Sequence, residues 1–306
     1  MASLLIVGAG PIGTSAARAA LDDGVVSAIS GVVDPDPGAR RELELLTGAP
    51  GYESSADLPT GREGDRALVA FTSNAEKAAQ EIVRLVSAGY HVVTTCEGLA
   101  WPDRHIWKAM HTAARSDGRV IVVTGANPGF SMDQFPLLAA TASRNLKGIT
   151  VTRRLDTADR RPQLVEKTGR GLTPDEFTAG LAAGRLGHIG LTGSLKMLAH
   201  GLTWPNHDVN ETVEPILVAG KVTGIHHHAR LRSEGRTIDF DLVMDWQLPD
   251  PADEVIVDGE PPLHIRIEGG YHGDQGTTTQ VVNALRRCTQ LTPDFYRPID
   301  LPLRLG

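Results

Sequence analysis

The sequence predicts an α/β chain in two parts: a doubly wound parallel sheet first, then an α+β domain with an open mixed or antiparallel sheet. Three observations predict it. Short Val- and Ile-rich runs alternate with amphipathic stretches over the first 125 or so residues. The run Gly8-Ala9-Gly10-Pro11-Ile12-Gly13 follows the first of them. Beyond about residue 145 the pattern turns to strict alternation of apolar and polar residues.

In order, the apolar runs are Leu4–Val7, Gly31–Val33, Ala67–Phe71, His91–Thr94 and Arg119–Val123. Each is short and apolar on both faces, as strands buried within a parallel sheet are. Between them Ile12, Ala16, Ala17, Ala20 and Leu21 recur with helical spacing, as do Ala78, Ala79, Ile82, Val83 and Val86, and Gly89 stops the second helix. In the second half Ile149–Arg153, Ile238–Met244 and Leu263–Ile267 alternate as strands with one wet face do. Helical segments are expected near 174–184 and 194–201, and again over 277–288. The expected domains are therefore 1–130, a dinucleotide-binding domain completed by the C-terminal segment 276–306, and 131–275, a substrate-binding and dimerisation domain.

The glycine turn carries the first chemistry. Gly8 permits a tight turn, Gly10 lets backbone approach a pyrophosphate, and Gly13 allows close helix–strand packing, with Pro11 and Ile12 opening the helix. The N–H groups and dipole at that helix start then face two negative charges. Asp34 lies 21 residues beyond Gly13, at the end of the second strand, where a carboxylate reaches a ribose 2′-hydroxyl. A Rossmann dinucleotide site follows, for NAD or NADP: Asp34 repels a 2′-phosphate, whereas Arg40 and Arg41 are placed to bind one.

Ligands of such sheets sit beyond the carboxyl ends of the strands. Three ends stand out: Phe71-Thr72-Ser73-Asn74, Thr94-Thr95-Cys96-Glu97, and 124–130 with Asn127 and Phe130. Thr72, Ser73 and Asn74 are small polar residues suited to a ribose and nicotinamide. Glu97 is the one carboxylate at these three ends. It reads either as a partly desolvated acid/base group or as a helix cap in solvent. Cys96 reads as a thiol nucleophile or as a buried inert neighbour. The triple His226-His227-His228 with His188 raises a metal, but consecutive histidines on a strand point to opposite faces and no Cys-x-x-Cys or His-Glu-x-x-His pattern joins them, so no metal site is expected.

Composition excludes other classes. With a formal charge of −7 and 22% charged residues, the chain lacks the basic face of a nucleic-acid binder. No apolar run spans a bilayer and no signal peptide precedes the glycine turn, so a cytoplasmic protein is expected. Two distant cysteines, Cys96 and Cys288, make no disulfide framework.

Several unusual segments, in order, carry a family resemblance: "VVTTCEGLAWP" (92–102), "GANPGFSMDQFPL" (125–137), "VTRRLDTADRRPQL" (151–164), "GHIGL" (187–191), "VTGIHH" (222–227) and "EGGYHGDQGTT" (268–278). The chain resembles the 2,4-diaminopentanoate dehydrogenases and native amine dehydrogenases, which share the two-domain architecture of dihydrodipicolinate reductase. The resemblance implies an NAD(P)-dependent amine dehydrogenase, a homodimer, with Glu97 as acid/base. It places Cys96 and Asn127 by the cofactor. On the substrate side the candidates are Phe130, Met132, Arg154, His188 and His226, with Arg153 and Arg161 as further candidates for a substrate carboxylate. The lysine and Ser-Gly-Thr segment of dihydrodipicolinate reductase itself is missing after His228. An imine or carbonyl reductase of that kind, and a non-catalytic NAD(P)-binding regulator, are the competing expectations.

Overall fold

A computed structural model describes residues 2–58, 61, 64–205 and 208–302. The chain divides into two compact units, 1–130 with 273–306, and 131–272. The last four residues of the C-terminal segment, 303–306, lie outside the described residues.

The first unit begins β1 (Ser3–Val7), α1 (Pro11–Asp22), β2 (Ala28–Val33), α2 (Pro37–Thr47) and β3 (Gly51–Tyr52). It continues with β4 (Arg66–Val69), α3 (Ala75–Ser87), β5 (His91–Thr94), α4 (Arg104–Ser116) and β6 (Ile121–Val123). Because successive side chains of a strand point to opposite faces, Leu4 and Ile6 enter one core with Ala16, Ala17 and Ala20 of α1. Leu5 and Val7 enter another with Ile82, Leu85 and Val86 of α3 and Met110 of α4. Both faces are covered, which is why these strands read as continuous apolar runs. Asn74 starts α3 by accepting the Lys77 N–H at 3.0 Å, and Asp36 starts α2 by accepting the Gly38 N–H at 2.7 Å.

The second unit runs α5 (Gln134–Ala140), β7 (Arg144–Asp156), α6 (Pro162–Lys167), α7 (Pro174–Ala182), α8 (Leu191–Gly201), β8 (Asp208–Val218), β9 (Lys221–Ser233), β10 (Arg236–Asp245), β11 (Ala252–Glu260) and β12 (Leu263–Glu268). Its six strands lie in the order β12-β11-β7-β10-β9-β8. The sheet is mixed: β7 and β10 run parallel at its centre, and every other pair is antiparallel. Ile149, Val151, Phe240, Leu242 and Ala229 turn inward onto Leu191, Leu195 and Leu198 of α8 and Phe177 of α7. Thr173 opens α7 with a reciprocal capping box to Glu176.

The chain then returns to the first unit through α9 (Gly273–Arg287) and β13 (Phe295–Tyr296). Val281, Ala284 and Leu285 of α9 join the α1 side of the first core. The completed sheet has the order β13-β6-β5-β4-β1-β2-β3, with all neighbours parallel. The order reverses at β1, whose neighbours are β2 and β4. Among the described residues no helix is long and apolar enough to cross a membrane.

Candidate active site

Parallel strands put their carboxyl ends on one edge. Along it stand, in turn, Asp34 after β2, the glycine turn after β1, Thr72–Asn74 after β4, Cys96 and Glu97 after β5, and the turn 124–130 after β6. This edge spans the switch point at which doubly wound sheets bind ligands.

The glycine turn fits a dinucleotide by its packing. Gly8 has φ +106°, and a Cβ there would stand 2.8 Å from backbone atoms of Ala70 and Phe71. A Cβ on Gly13 would lie 1.9 Å from the Gly8 carbonyl oxygen, so only glycine lets α1 start against the strand. At Gly10 a Cβ would meet nothing within 4 Å: the backbone there borders open space into which a phosphate can come close. Pro11 is the first helical residue and Ile12 follows half-buried. The helix start has no side-chain cap and no acid in its first turn, which leaves its positive end for an anion.

Asp34 is held on both oxygens: Oδ2 accepts the Ala9 N–H at 2.8 Å and Oδ1 the Asp36 N–H at 2.9 Å. Arg40 turns back, its Nη1 donating to the Asp34 carbonyl at 2.6 Å. Thr72 Oγ1 accepts the Asn74 N–H at 3.1 Å, and Asn74 is occupied as the cap of α3, so these side chains first shape the turn itself.

Cys96 is buried, and desolvation pushes its thiol up to about 12, with the neighbouring Glu97 charge adding to the rise. It is a thiol at neutral pH, not a nucleophile. Glu97 opens a single 3-10 turn, Glu97–Leu99. The residue is half-buried, and its Oε2 is out of contact with solvent. Gly98 allows the turn to sit against the end of β4, where a Cβ would lie 2.7 Å from the Ser73 carbonyl oxygen. Asn127 precedes a cis proline, Pro128, and the turn closes as the Phe130 N–H donates to the Ala126 carbonyl at 3.2 Å. Thr277 of α9 ties it down by accepting the Ala126 N–H at 3.2 Å.

The second unit holds the remaining candidates. Met132 is fully buried in its core. Arg154 lies on the outer face of β7, its Nη2 donating to the Pro249 carbonyl at 3.2 Å. His226 also lies on the outer face, 3.1 Å from Asp241. The inward histidine is His227, 2% exposed, its Nε2 at 2.7 Å from Glu211 Oε1 while Thr192 Oγ1 donates to Oε2. Those bonds hold the Glu211 carboxyl below its ordinary range. Arg153 is the inward arginine: Nη1 meets Asp253 at 2.8 Å and Ser131 Oγ, and Nη2 donates to the Tyr271 carbonyl at 2.6 Å. Asp133 N-caps α5 and accepts the Ser194 hydroxyl of α8 at 2.8 Å. Glu211, Asp253 and Asp133 are not singled out by the sequence, and His227 enters only within the histidine triple, although alternation with Ile225 and Ala229 marks it as inward. Among the described residues no cluster of three or more His, Cys, Asp or Glu could hold a metal ion.

His188 is half-buried, and its imidazole is pushed down to about 3, by desolvation first and then by His227, Lys167 and Arg153. The unfolded chain takes up this proton below its ordinary 6.5, whereas the folded chain does not until about 3. The contribution of His188 to stability is therefore complete above pH 6.5 and falls as pH drops through that window, by up to about 1.4 kcal/mol per pH unit. Urea unfolding at pH 7 and pH 5 should show this fall, and His188→Gln should lessen it, leaving the share of His91, whose imidazole burial pushes down to about 4. An unchanged slope in the variant would contradict the assignment.

A parallel sheet with this glycine turn at its switch point, joined along the chain to a second unit built on a mixed sheet, is the build of a two-domain dehydrogenase. Residues 130–305 match the family model described as the 2,4-diaminopentanoate dehydrogenase C-terminal domain. The chain belongs to that family. It is 25% identical over 274 residues to 2,4-diaminopentanoate dehydrogenase of Acetoanaerobium sticklandii, covering 81% of this chain and 76% of that protein. In fold it is similar to the amine dehydrogenase from Mycobacterium smegmatis, with a TM-score of 0.84 and 19% identity over 99% of this chain and 96% of that one. It is also similar to the WlbA dehydrogenase from Bordetella pertussis, solved with NADH and UDP-GlcNAcA, at a TM-score of 0.63 and 17% identity over 95% and 89% of the two chains.

Proposed function

We propose that this protein is an NAD(P)-dependent amine dehydrogenase that interconverts a ketone plus ammonia and a primary amine. The observation that carries the reading is Glu97, a half-buried carboxylate at the sheet edge, two strands along from a glycine turn shaped for a dinucleotide. Family membership and the likeness to an amine dehydrogenase support it.

Gly8, Gly10, Gly13 and the start of α1 would hold the pyrophosphate, and Asp34 a ribose hydroxyl. The nicotinamide supplies the hydride in amination and accepts it in deamination. Glu97 does the proton work. In amination it takes a proton from ammonium, so that neutral ammonia adds to the carbonyl carbon. It then returns that proton to the carbinolamine hydroxyl, which leaves as water. The product is a cationic iminium, and the carboxylate of Glu97, its oxygens partly withdrawn from solvent, stabilises that charge. In deamination the same group deprotonates the amine and then activates the water that hydrolyses the iminium.

Substrate contacts are assigned to Phe130, the last residue of the first unit before the chain enters the second, and to His188 and the residues around His226 in the second unit. The assembly is a homodimer and the location cytoplasmic in this reading. Reduced-cofactor consumption across a panel of ketones, with and without ammonium, tests it. Oxidation of NADH or NADPH should require both ketone and ammonium. Turnover of ketones or cyclic imines without ammonium would replace the reading by a carbonyl or imine reductase.

A further inference from the structure

We propose that Glu44, acting with Asp34, makes this chain selective for NAD(H), by holding in place the two arginines that would otherwise bind a 2′-phosphate. The inference rests on the dinucleotide reading above and decides between its two forms. Arg40 and Arg41 follow Asp34 at the start of α2, where a phosphorylated ribose would need a guanidinium fork. Glu44 lies one turn further on and faces both. Its Oε1 stands 3.8 Å from Arg40 Nε, and its Oε2 3.3 Å from Arg41 Nη1.

The carboxylate is seated rather than loose. Glu44 and Arg40 are each only 20% exposed. A Cβ on Gly51, the first residue of β3, would lie 1.6 Å from Glu44 Oε1 and 2.8 Å from Arg40 Cδ, so the strand has a glycine where these side chains pack. Arg40 is fixed from the other end as well, by Nη1 on the Asp34 carbonyl at 2.6 Å. Asp34 itself presents a carboxylate set by the Ala9 and Asp36 N–H groups. A ribose 2′-hydroxyl donates to such a group. A 2′-phosphate meets like charge, with the nearer arginine already committed elsewhere.

Binding of NADH and NADPH, followed by nicotinamide fluorescence without substrate, tests the proposal on wild type, Asp34→Ser, Glu44→Gln and the double variant. Wild type should bind NADH at least ~30-fold more tightly than NADPH, since like-charge juxtaposition at an interface costs several kcal/mol. Asp34→Ser should bring the two within ~3-fold. Adding Glu44→Gln should tighten NADPH by a further ~10-fold and leave NADH where Asp34→Ser put it, because only the phosphate recruits the released arginine. Arg40→Met in the double background should erase that gain, a loss that general loosening of α2 would not produce. Equal affinity of wild type for both cofactors would overturn the proposal. So would a double variant no better for NADPH than Asp34→Ser. Failure of wild type to bind either dinucleotide would instead remove the dehydrogenase reading, so the two failures are distinct.

Discussion

Glu97→Gln is expected to bind the reduced cofactor with wild-type affinity and to lose ~10²–10⁴-fold in kcat for amination, the usual contribution of a positioned acid/base group. The amide keeps the size of the side chain and its place in the Glu97–Leu99 turn, which is set by backbone bonds from Leu99 N–H to the Cys96 carbonyl at 3.0 Å and from Ala100 N–H to the Glu97 carbonyl at 3.2 Å. What it removes is the ability to take a proton from ammonium and the negative charge beside an iminium. The two losses separate by experiment. Glu97→Asp keeps charge and basicity but retracts them by one methylene, so it should recover part of kcat, whereas Gln should recover none. Near-wild-type turnover by Glu97→Gln would end the assignment. Unchanged turnover by Cys96→Ser would agree with the buried, protonated thiol found beside it.

Much of this arrangement was legible in the sequence because the first sheet is buried on both faces. A strand with apolar neighbours above and below is apolar along most of its length, as in Leu4–Val7 and at Val92 and Val93 of His91–Thr94, and the ends of these runs locate Gly8 and Glu97. Short parallel strands also leave little room for error about which residues reach the edge. The second unit was harder. Its strands alternate, and alternation gives a parity but not a direction. The pair Arg153-Arg154 shows this: the sequence offers both as substrate candidates, and alternation alone does not say that Val151, Arg153 and Leu155 share the inward face while Arg154 points out. Likewise His226 was favoured, and His227 is the buried one, in step with Ile225 and Ala229. Tertiary partners distant in sequence decide such cases. Asp253, 100 residues beyond Arg153, is what makes an inward arginine tolerable. Glu44 was within reach of sequence reasoning, because spacings of three and four on a helix bring charges together, and Arg40, Arg41 and Glu44 have that spacing.

That buried pair carries the second large expected effect. Removing the carboxylate with Asp253→Ala should destabilise the second unit by about 3–5 kcal/mol, the usual result of stranding one buried charge. Arg153 and Asp253 have side chains 4% and 3% exposed, and burial pushes the guanidinium down and the carboxyl up, each against its charged form. The pair is thus balanced chiefly by its own contacts: Asp253 Oδ2 accepts both Arg153 Nη1 and the Tyr271 N–H at 2.9 Å, while Arg153 also bonds Ser131 and the Tyr271 carbonyl. Because desolvation opposes both charges, replacing both should cost less than replacing one. Arg153→Met with Asp253→Leu is expected to unfold at a higher urea concentration than Asp253→Ala alone, though below wild type, since the bonds to Ser131 and Tyr271 are lost with the guanidinium. A double variant less stable than Asp253→Ala would show that Arg153 stabilises the fold even without its carboxylate partner, held by its bonds to Ser131 and the Tyr271 carbonyl rather than by attraction to Asp253.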